Sequence, residues 1–293
     1  MHYNESISST CALLGVSRQV YYRAIKTKQK RQAVADRVIE LVRSLRREQP
    51  RIGTRKLYYI LQQELKSLSV GRDYLFTILK ANKMLIKPKR NYTITTNSYH
   101  RFRKHKNLIE YTTIHRPEQV WVADITYVGS RQNPMYLSLI TDAYSKKIVG
   151  YNLANTLQTT QTIKALKQAI NNRVYPTQPL IHHSDRGLQY CSDSYQKLLH
   201  KNSIQCSMTE QYDPYQNAIA ERINGILKQE FLVQNQNTDL KTMKQIVTQS
   251  IAIYNTKRPH ISCELLTPEQ MHKQSKIKRK TYKKKISQQT YVC

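Results

Sequence analysis

"QVWVADITYV", residues 119–128, decides the fold class. Val120, Val122, Asp124, Thr126 and Val128 fall on one side of the chain, and Trp121, Ala123, Ile125 and Tyr127 on the other. That is the two-residue period of a β-strand. Downstream, "MYLSLITDAYSKKIVGYNL" reads as two more strands joined by a turn at "DAYSKK". "TTQTIKALKQAINNR" has helical spacing, with Ile163, Leu166 and Ile170 inward. "PLIHHSD" is a fourth strand, "DSYQKLLHKN" a helix and "IQCSMT" a short fifth strand. Three helices close the region: "DPYQNAIAERINGILKQEF", with Pro214 near its start, "LKTMKQIVTQSIAIYNTKR", and a short one opened by Thr267, Pro268 and Gln270 as a capping box. Strands first and alternating helices and strands afterwards predict an α/β core with a mixed five-stranded sheet.

Upstream the period is helical. In "CALLGVSRQVYYRAI" the spacing of Cys11, Gly15 and Val20 suits two short helices crossing at a glycine turn, with Ser17 capping the second. "VADRVIELVRSL", "GTRKLYYILQQEL" with Thr54 as its cap, and "VGRDYLFTILKANKML" with Leu75, Ile78 and Leu79 inward form a three-helix unit. Units of this kind place their last helix in a DNA groove. Arg51, Arg55, Lys56 and Arg72 are its candidate phosphate or base contacts, and Arg18 and Gln19 those of the first pair. The alternative for each is a cation that only solvates a helix. The expected organisation is a helix-turn-helix-like segment over 1–30, a helical DNA-binding domain over 31–87, a basic linker over 88–111, the catalytic core over 112–272 and a basic tail over 273–293.

The 293 residues carry 48 Lys and Arg against 19 Asp and Glu, a net charge of +29. The surplus sits before residue 111 and after 270, while the middle is nearly balanced. Such flanks attract a polyanion, most commonly nucleic acid. The 5 cysteines are scattered and contain no C-x-x-C pair, which favours a reducing, cytoplasmic location over disulfides or zinc. "MHYNESISST" is too polar for a signal peptide, and no apolar run reaches the roughly 18–20 residues of a membrane span.

In so basic a chain, three acids stand out. Asp124 interrupts an apolar strand, where a carboxylate is costly unless it meets a cation or donor. Asp185 ends the fourth strand in "HHSDRGLQY", beside a glycine turn; a turn aspartate capping the next helix is the competing reading. Glu221 interrupts the apolar set Ile219, Ile223, Ile226 and Leu227 of its helix. Three carboxylates can hold two Mg²⁺ ions about 3.5–4 Å apart, the arrangement of phosphodiester chemistry.

"WVADITYV", "HHSDRGLQY" and "NAIAERINGILKQEF" resemble the three carboxylate blocks of the DDE transposases and retroviral integrases, and 35 residues separate Asp185 from Glu221, as in those families. "YNTKRPHISCELLTPEQM" is similar to the closing block of the orfB-type bacterial insertion-sequence transposases. Arg222 stands where many relatives carry Ser. No His/Cys zinc domain like that at the integrase N-terminus is found; helices replace it. The resemblance implies an RNase H-like catalytic core with Asp124, Asp185 and Glu221 as catalytic metal ligands for two Mg²⁺ ions, with Mn²⁺ as substitute. It implies cleavage at element ends and 3′-hydroxyl transfer into target DNA, and assembly of at least two copies on DNA in a bacterial cytoplasm. In that class the active enzyme is often fused by frameshifting to an upstream-frame product, which adds a further partner. Lys228, two turns after Glu221, Asn217, one turn before it, and Arg186 are expected to contact DNA. Arg258 either binds DNA or caps the long helix. His182 and His183 are read as packing or DNA contacts, because hard ions prefer oxygen, and Asp142 as structural. Two alternatives remain: a helix-turn-helix regulator without catalysis, and an RNase H-like nuclease without strand transfer.

Overall fold

The computed structural model describes residues 6–87, 105–110, 112–130, 132–209, 217–231 and 238–274. Most of the expected linker, Pro214 and the tail from residue 275 lie outside them. The chain divides into two compact units, residues 1–48 with 52–87 and residues 49–51 with 88–293.

In the first unit α1 (Ile7–Leu13) is capped by Ser6, whose hydroxyl accepts from the Ser9 amide at 3.1 Å. Gly15, at φ +67°, lets the Val16 amide turn back onto the Cys11 carbonyl at 3.0 Å. Ser17 then caps α2, accepting from the Val20 amide at 3.3 Å. Here the structure differs from the expectation of two separate helices: α2 runs unbroken from Arg18–Glu48. Nothing in "RAIKTKQKRQAVADRV" ends a helix, since it lacks Gly and Pro and is rich in Ala, Lys, Arg and Gln. A boundary at residue 30 therefore falls inside a helix. The next expected helix is divided at Leu61 into α3 (Thr54–Ile60) and α4 (Gln62–Ser67). Gly53, not Thr54, occupies the cap position, and Thr54 is buried at the first helical position. On α5 (Arg72–Ala81), Leu75, Ile78 and Leu79 join Val38, Val42, Leu57 and Leu65 in the core, as their spacing predicts.

The second unit holds the expected mixed sheet. Its strands are β1 (Val120–Gly129), β2 (Pro134–Asp142), β3 (Ile148–Ala154), β4 (Leu180–Ser184) and β5 (Ile204–Met208), in the order β3-β2-β1-β4-β5. The two hairpin connections give antiparallel pairs, and β4 and β5 join parallel. Between them run α6 (Thr159–Asn171), α7 (Leu188–Cys191) and α8 (Asp193–Lys201); α9 (Ala218–Glu230), α10 (Leu240–Thr256) and α11 (Pro268–His272) follow. The alternation of β1 assigns its two faces. Trp121 and Ala123 pack with Ala165, Leu166, Tyr195 and Leu199 of α6 and α8. On the other face Val128, Leu137 and Leu139 meet Ile223, Ile226 and Leu227 of α9 and Val247 and Ile251 of α10. Gly150 allows α6 to approach this closely, since a Cβ there would lie 2.3 Å from the Ala165 carbonyl oxygen. The capping box of α11 is present in both directions.

A buried polar cluster ties the ends of these elements together. Asp142 accepts from the amides of Glu118 and Ser145 and from the Ser145 hydroxyl, each at 2.7 Å, which is the structural part expected of it. Glu118 accepts from the amides of Val174 and Tyr175 and pairs with Arg173 at 3.3 Å. His272, on α11, lies 3.5 Å from Glu118 and 3.7 Å from Asp142.

Candidate active site

Sheet order brings the first two acids together. β1 and β4 run parallel with Ala123 opposite Ser184, so Asp124 and Asp185 follow as the next residue on each chain. This is the carboxyl end of β4, where open α/β sheets usually place their sites. The Asp185 carboxylate folds over its own turn and accepts from the Gly187 amide at 3.0 Å. A Cβ on Gly187 would sit 3.0 Å from that same oxygen, so glycine leaves the carboxylate its room.

Helix α9 crosses the same face of β1. From its first residues Asn217 donates to the Ala123 carbonyl at 3.2 Å, and one face further along Asn224 donates to Asp124 Oδ2 at 2.6 Å. Glu221 lies between them in sequence, in the first turn and exposed, with Lys228 half-buried in the last. Burial, then the neighbouring Asp185 charge and to a lesser extent Glu221, push Asp124 up to about 8, against the Ile125 amide and the Lys228 ammonium. Partial burial raises Glu221 and lowers Lys228, the latter opposed by Asp124. Asp124, Asp185, Glu221 and Lys228 thus form one electrostatic unit.

Among the described residues no three His, Cys, Asp or Glu side chains are gathered closely enough to hold a metal ion. Asp124 and Asp185 form the fixed pair, and Glu221 does not complete a finished ligand set with them. The chemistry of the donors still fits a hard divalent cation: they are all carboxylate oxygens, and their crowded negative charge adds to burial in raising Asp124. The histidines are engaged elsewhere, as packing groups. His182 Nε2 meets the Tyr195 hydroxyl at 2.9 Å, and His183 Nδ1 meets the Ser207 hydroxyl at 2.9 Å.

The chain is similar to known proteins along most of its length. Two family models, both described as integrase core domain, match residues 114–214 and 202–268. The uncharacterized 31 kDa protein of insertion element IS600 from Shigella sonnei is 33% identical over 262 residues, 88% of this chain and 95% of that one. The chain belongs to the insertion-sequence transposases with an integrase core domain. Transposase InsF of insertion sequence IS3A from Escherichia coli is 27% identical over 279 residues, 90% of this chain and 93% of that one. Among solved structures, the HTLV-2 integrase catalytic core domain in complex with magnesium is similar at 21% identity and a TM-score of 0.43, covering 54% of this chain and 97% of that one.

In this transposase the expected DNA contacts divide by burial. Arg18, Arg55 and Arg72 are exposed, the last beside Asp73 at 2.9 Å, and Arg186 is partly exposed. Three others are corrected. Lys56 is only 8% exposed, because its position on α3 faces the helical core beside Leu57. Asn217 is 8% exposed and spends its donor on the β1 backbone. Arg258 is 1% exposed, its guanidinium forked onto Glu230 at 2.8 Å and 2.8 Å. Sequence reasoning missed Asn224. Its only signal is spacing: three residues after Glu221 and seven after Asn217, it shares their side of α9. If Asp124 is a Mg²⁺ ligand, Asn224→Ala should weaken Mg²⁺ use about tenfold or more, because a group that orients a metal ligand commonly contributes that much. A Mg²⁺ titration of strand cleavage checks it, and a wild-type curve would show that the bond does not set the carboxylate.

Proposed function

We propose that this transposase cleaves the 3′ phosphodiester at the ends of its element and transfers the freed hydroxyl to target DNA, with two Mg²⁺ ions, or Mn²⁺ in their place, held by Asp124, Asp185 and Glu221. The observation that carries the reading is the Asp124–Asp185 pair on adjacent parallel strands, with Glu221 and Lys228 supplied to the same face by α9. Bound there, the ions supply activation of the attacking oxygen and stabilisation of the leaving one. Asn224 holds one Asp124 oxygen in orientation, and Lys228 offers a cation to a phosphate beside the acids. A tyrosyl–DNA ester is not favoured: Tyr190 is buried, and burial, Tyr195 and the two aspartates hold its hydroxyl well above the usual tyrosine range. Pairing two element ends calls for a second copy of the chain, and an upstream-frame fusion remains a further partner to test.

The test is a strand-transfer assay with duplexes carrying the DNA ends that flank the gene. Mg²⁺ or Mn²⁺ should yield a recessed 3′ end and a joined product, and chelation should remove both. End binding without cleavage under any of these conditions would reject the reading in favour of a regulator. Cleavage without joining would favour a nuclease. In the helical unit, Arg55→Ala and Arg72→Ala should each weaken duplex binding and reduce the salt slope by about one. Affinity measured against salt concentration reads this directly; unchanged slopes would remove both residues from the DNA surface.

A further inference from the structure

We propose that Arg258 is a positioning residue for Glu221: by forking onto Glu230 it fixes the far end of α9, and with it the distance of Glu221 from the Asp124–Asp185 pair. The inference rests on the reading of Glu221 as a metal ligand. Glu230 is the last residue of α9, where the helix dipole disfavours an acid. Its carboxylate therefore needs a cation, and Arg258 supplies one through two hydrogen bonds, Nε to Oε2 and Nη2 to Oε1, both 2.8 Å. A bidentate pair fixes direction as well as distance. The pair is withdrawn from water, with side-chain exposures of 2% and 20%. Burying two charges seldom adds stability over an apolar pair of the same volume, so geometry is the better account of this one.

Arg258 is in turn fixed to the sheet. Its guanidinium lies 5.7 Å over the ring of Tyr254, which is fully buried. The Tyr254 hydroxyl donates to the Lys146 carbonyl, in the turn between β2 and β3, at 2.8 Å. On the strand side α9 is held by Asn217 and Asn224. Glu230 follows Glu221 by two and a half helical turns and so projects from the opposite side of α9. The helix is thus gripped by directional bonds on both sides. The apolar contacts of Ile223, Ile226 and Leu227 alone are non-directional and would permit it to rotate or slide.

The test uses the full chain with Arg258→Lys, Glu230→Gln and the two combined. Lysine keeps the charge and loses the fork, and glutamine keeps the shape and loses the charge. Mn²⁺ binding by calorimetry without DNA should weaken about tenfold in each single variant, and no further in the double, because the two residues act as one contact. The Mg²⁺ concentration for half-maximal strand transfer should rise in parallel, with the rate recovering at saturating Mg²⁺ and duplex affinity unchanged. A lowered melting temperature with wild-type Mn²⁺ affinity and Mg²⁺ half-saturation would overturn the proposal and leave a purely structural pair. Weakened duplex binding with unchanged metal affinity would overturn it in favour of a DNA contact. If Arg258→Lys fails to fold, Glu230→Gln decides alone. Absence of Mn²⁺ binding by the unsubstituted chain would overturn the metal reading of the site, and this inference with it.

Discussion

Asp124→Asn, Asp185→Asn and Glu221→Gln should each lower end cleavage and strand transfer by about 10³-fold or more, which corresponds to roughly 4 kcal/mol of transition-state stabilisation. On the proposed reading each change removes a ligand charge, and each keeps the side chain's size. Duplex binding should be nearly unaffected, since its phosphate contacts lie on other residues. Stability separates this result from misfolding. Asp124 is held up at about 8 by burial and by repulsion from Asp185 and Glu221, so its ionised form opposes folding. That cost is absent while the carboxyl stays protonated and grows as pH rises above the ordinary aspartate range. The amide of the Asp124→Asn variant would carry no such charge and would still present an acceptor to Asn224. That protein should therefore melt higher than wild type at neutral pH, with the gap opening above about pH 4 and nearly complete by pH 8, while remaining inactive. Melting curves and a strand-transfer gel on the same preparations decide it. Near-wild-type turnover in any of the three would remove that residue from the site.

The parts of this molecule that were legible in the sequence are those set by local periodicity. The alternation of residues 120–128 assigned Trp121 and Asp124 to opposite faces, and the structure packs them so. Thr267 and Gln270 formed a capping box because the motif is complete within four residues. Asp124 stood out because a carboxylate in an apolar strand contradicts its surroundings, and such contradictions cluster at functional sites. The misses share one cause. A basic chain invites a DNA-contact reading of any cation or amide, as for Lys56 and Asn217 and as one of the two readings of Arg258. Whether such a side chain is buried depends on partners distant in sequence: Glu230 for Arg258, the Ala123 carbonyl for Asn217. Asn224 was overlooked for the same reason, its partner lying one hundred residues away on β1. The length of α2 is legible only as an absence: no helix-ending residue lies near residue 30, where the expected segment boundary falls.

His272→Ala should destabilise the second unit by about 3–5 kcal/mol, the usual cost of leaving a buried charge without its partner, and lower its melting temperature by roughly 10 °C. His272 is 1% exposed, with Asp142 at 3.7 Å, Glu118 at 3.5 Å and the Ser145 hydroxyl at 2.9 Å from its ring. Burial alone would lower its pKa; the two carboxylates overcome burial and the opposing Lys147, and raise it to about 9. For the carboxylates burial acts upward, but His272, Ser145 and the backbone amides outweigh it and hold Asp142 and Glu118 below their usual range. A raised histidine stabilises fully below its unfolded value of about 6.5 and loses that contribution as pH climbs through 9. Lowered carboxylates stabilise above their unfolded values near 4 and lose that contribution as pH falls below them. The stability that wild type has over His272→Ala should be greatest between about pH 5 and 7 and shrink toward pH 10, on top of the slope that Asp124 gives both proteins up to about pH 8. Calorimetric melting of both proteins from pH 5 to 10 measures the difference. Parallel curves would show that His272 enters the native state neutral, its Nδ1 bonded to Ser145 alone. Because the cluster joins the start of β1, the end of β2 and α11 without touching Asp185 or Glu221, strand transfer below the lowered melting point should keep its wild-type Mg²⁺ dependence. A shifted Mg²⁺ requirement would mean that the cluster also sets the position of Asp124, six residues along the chain from Glu118.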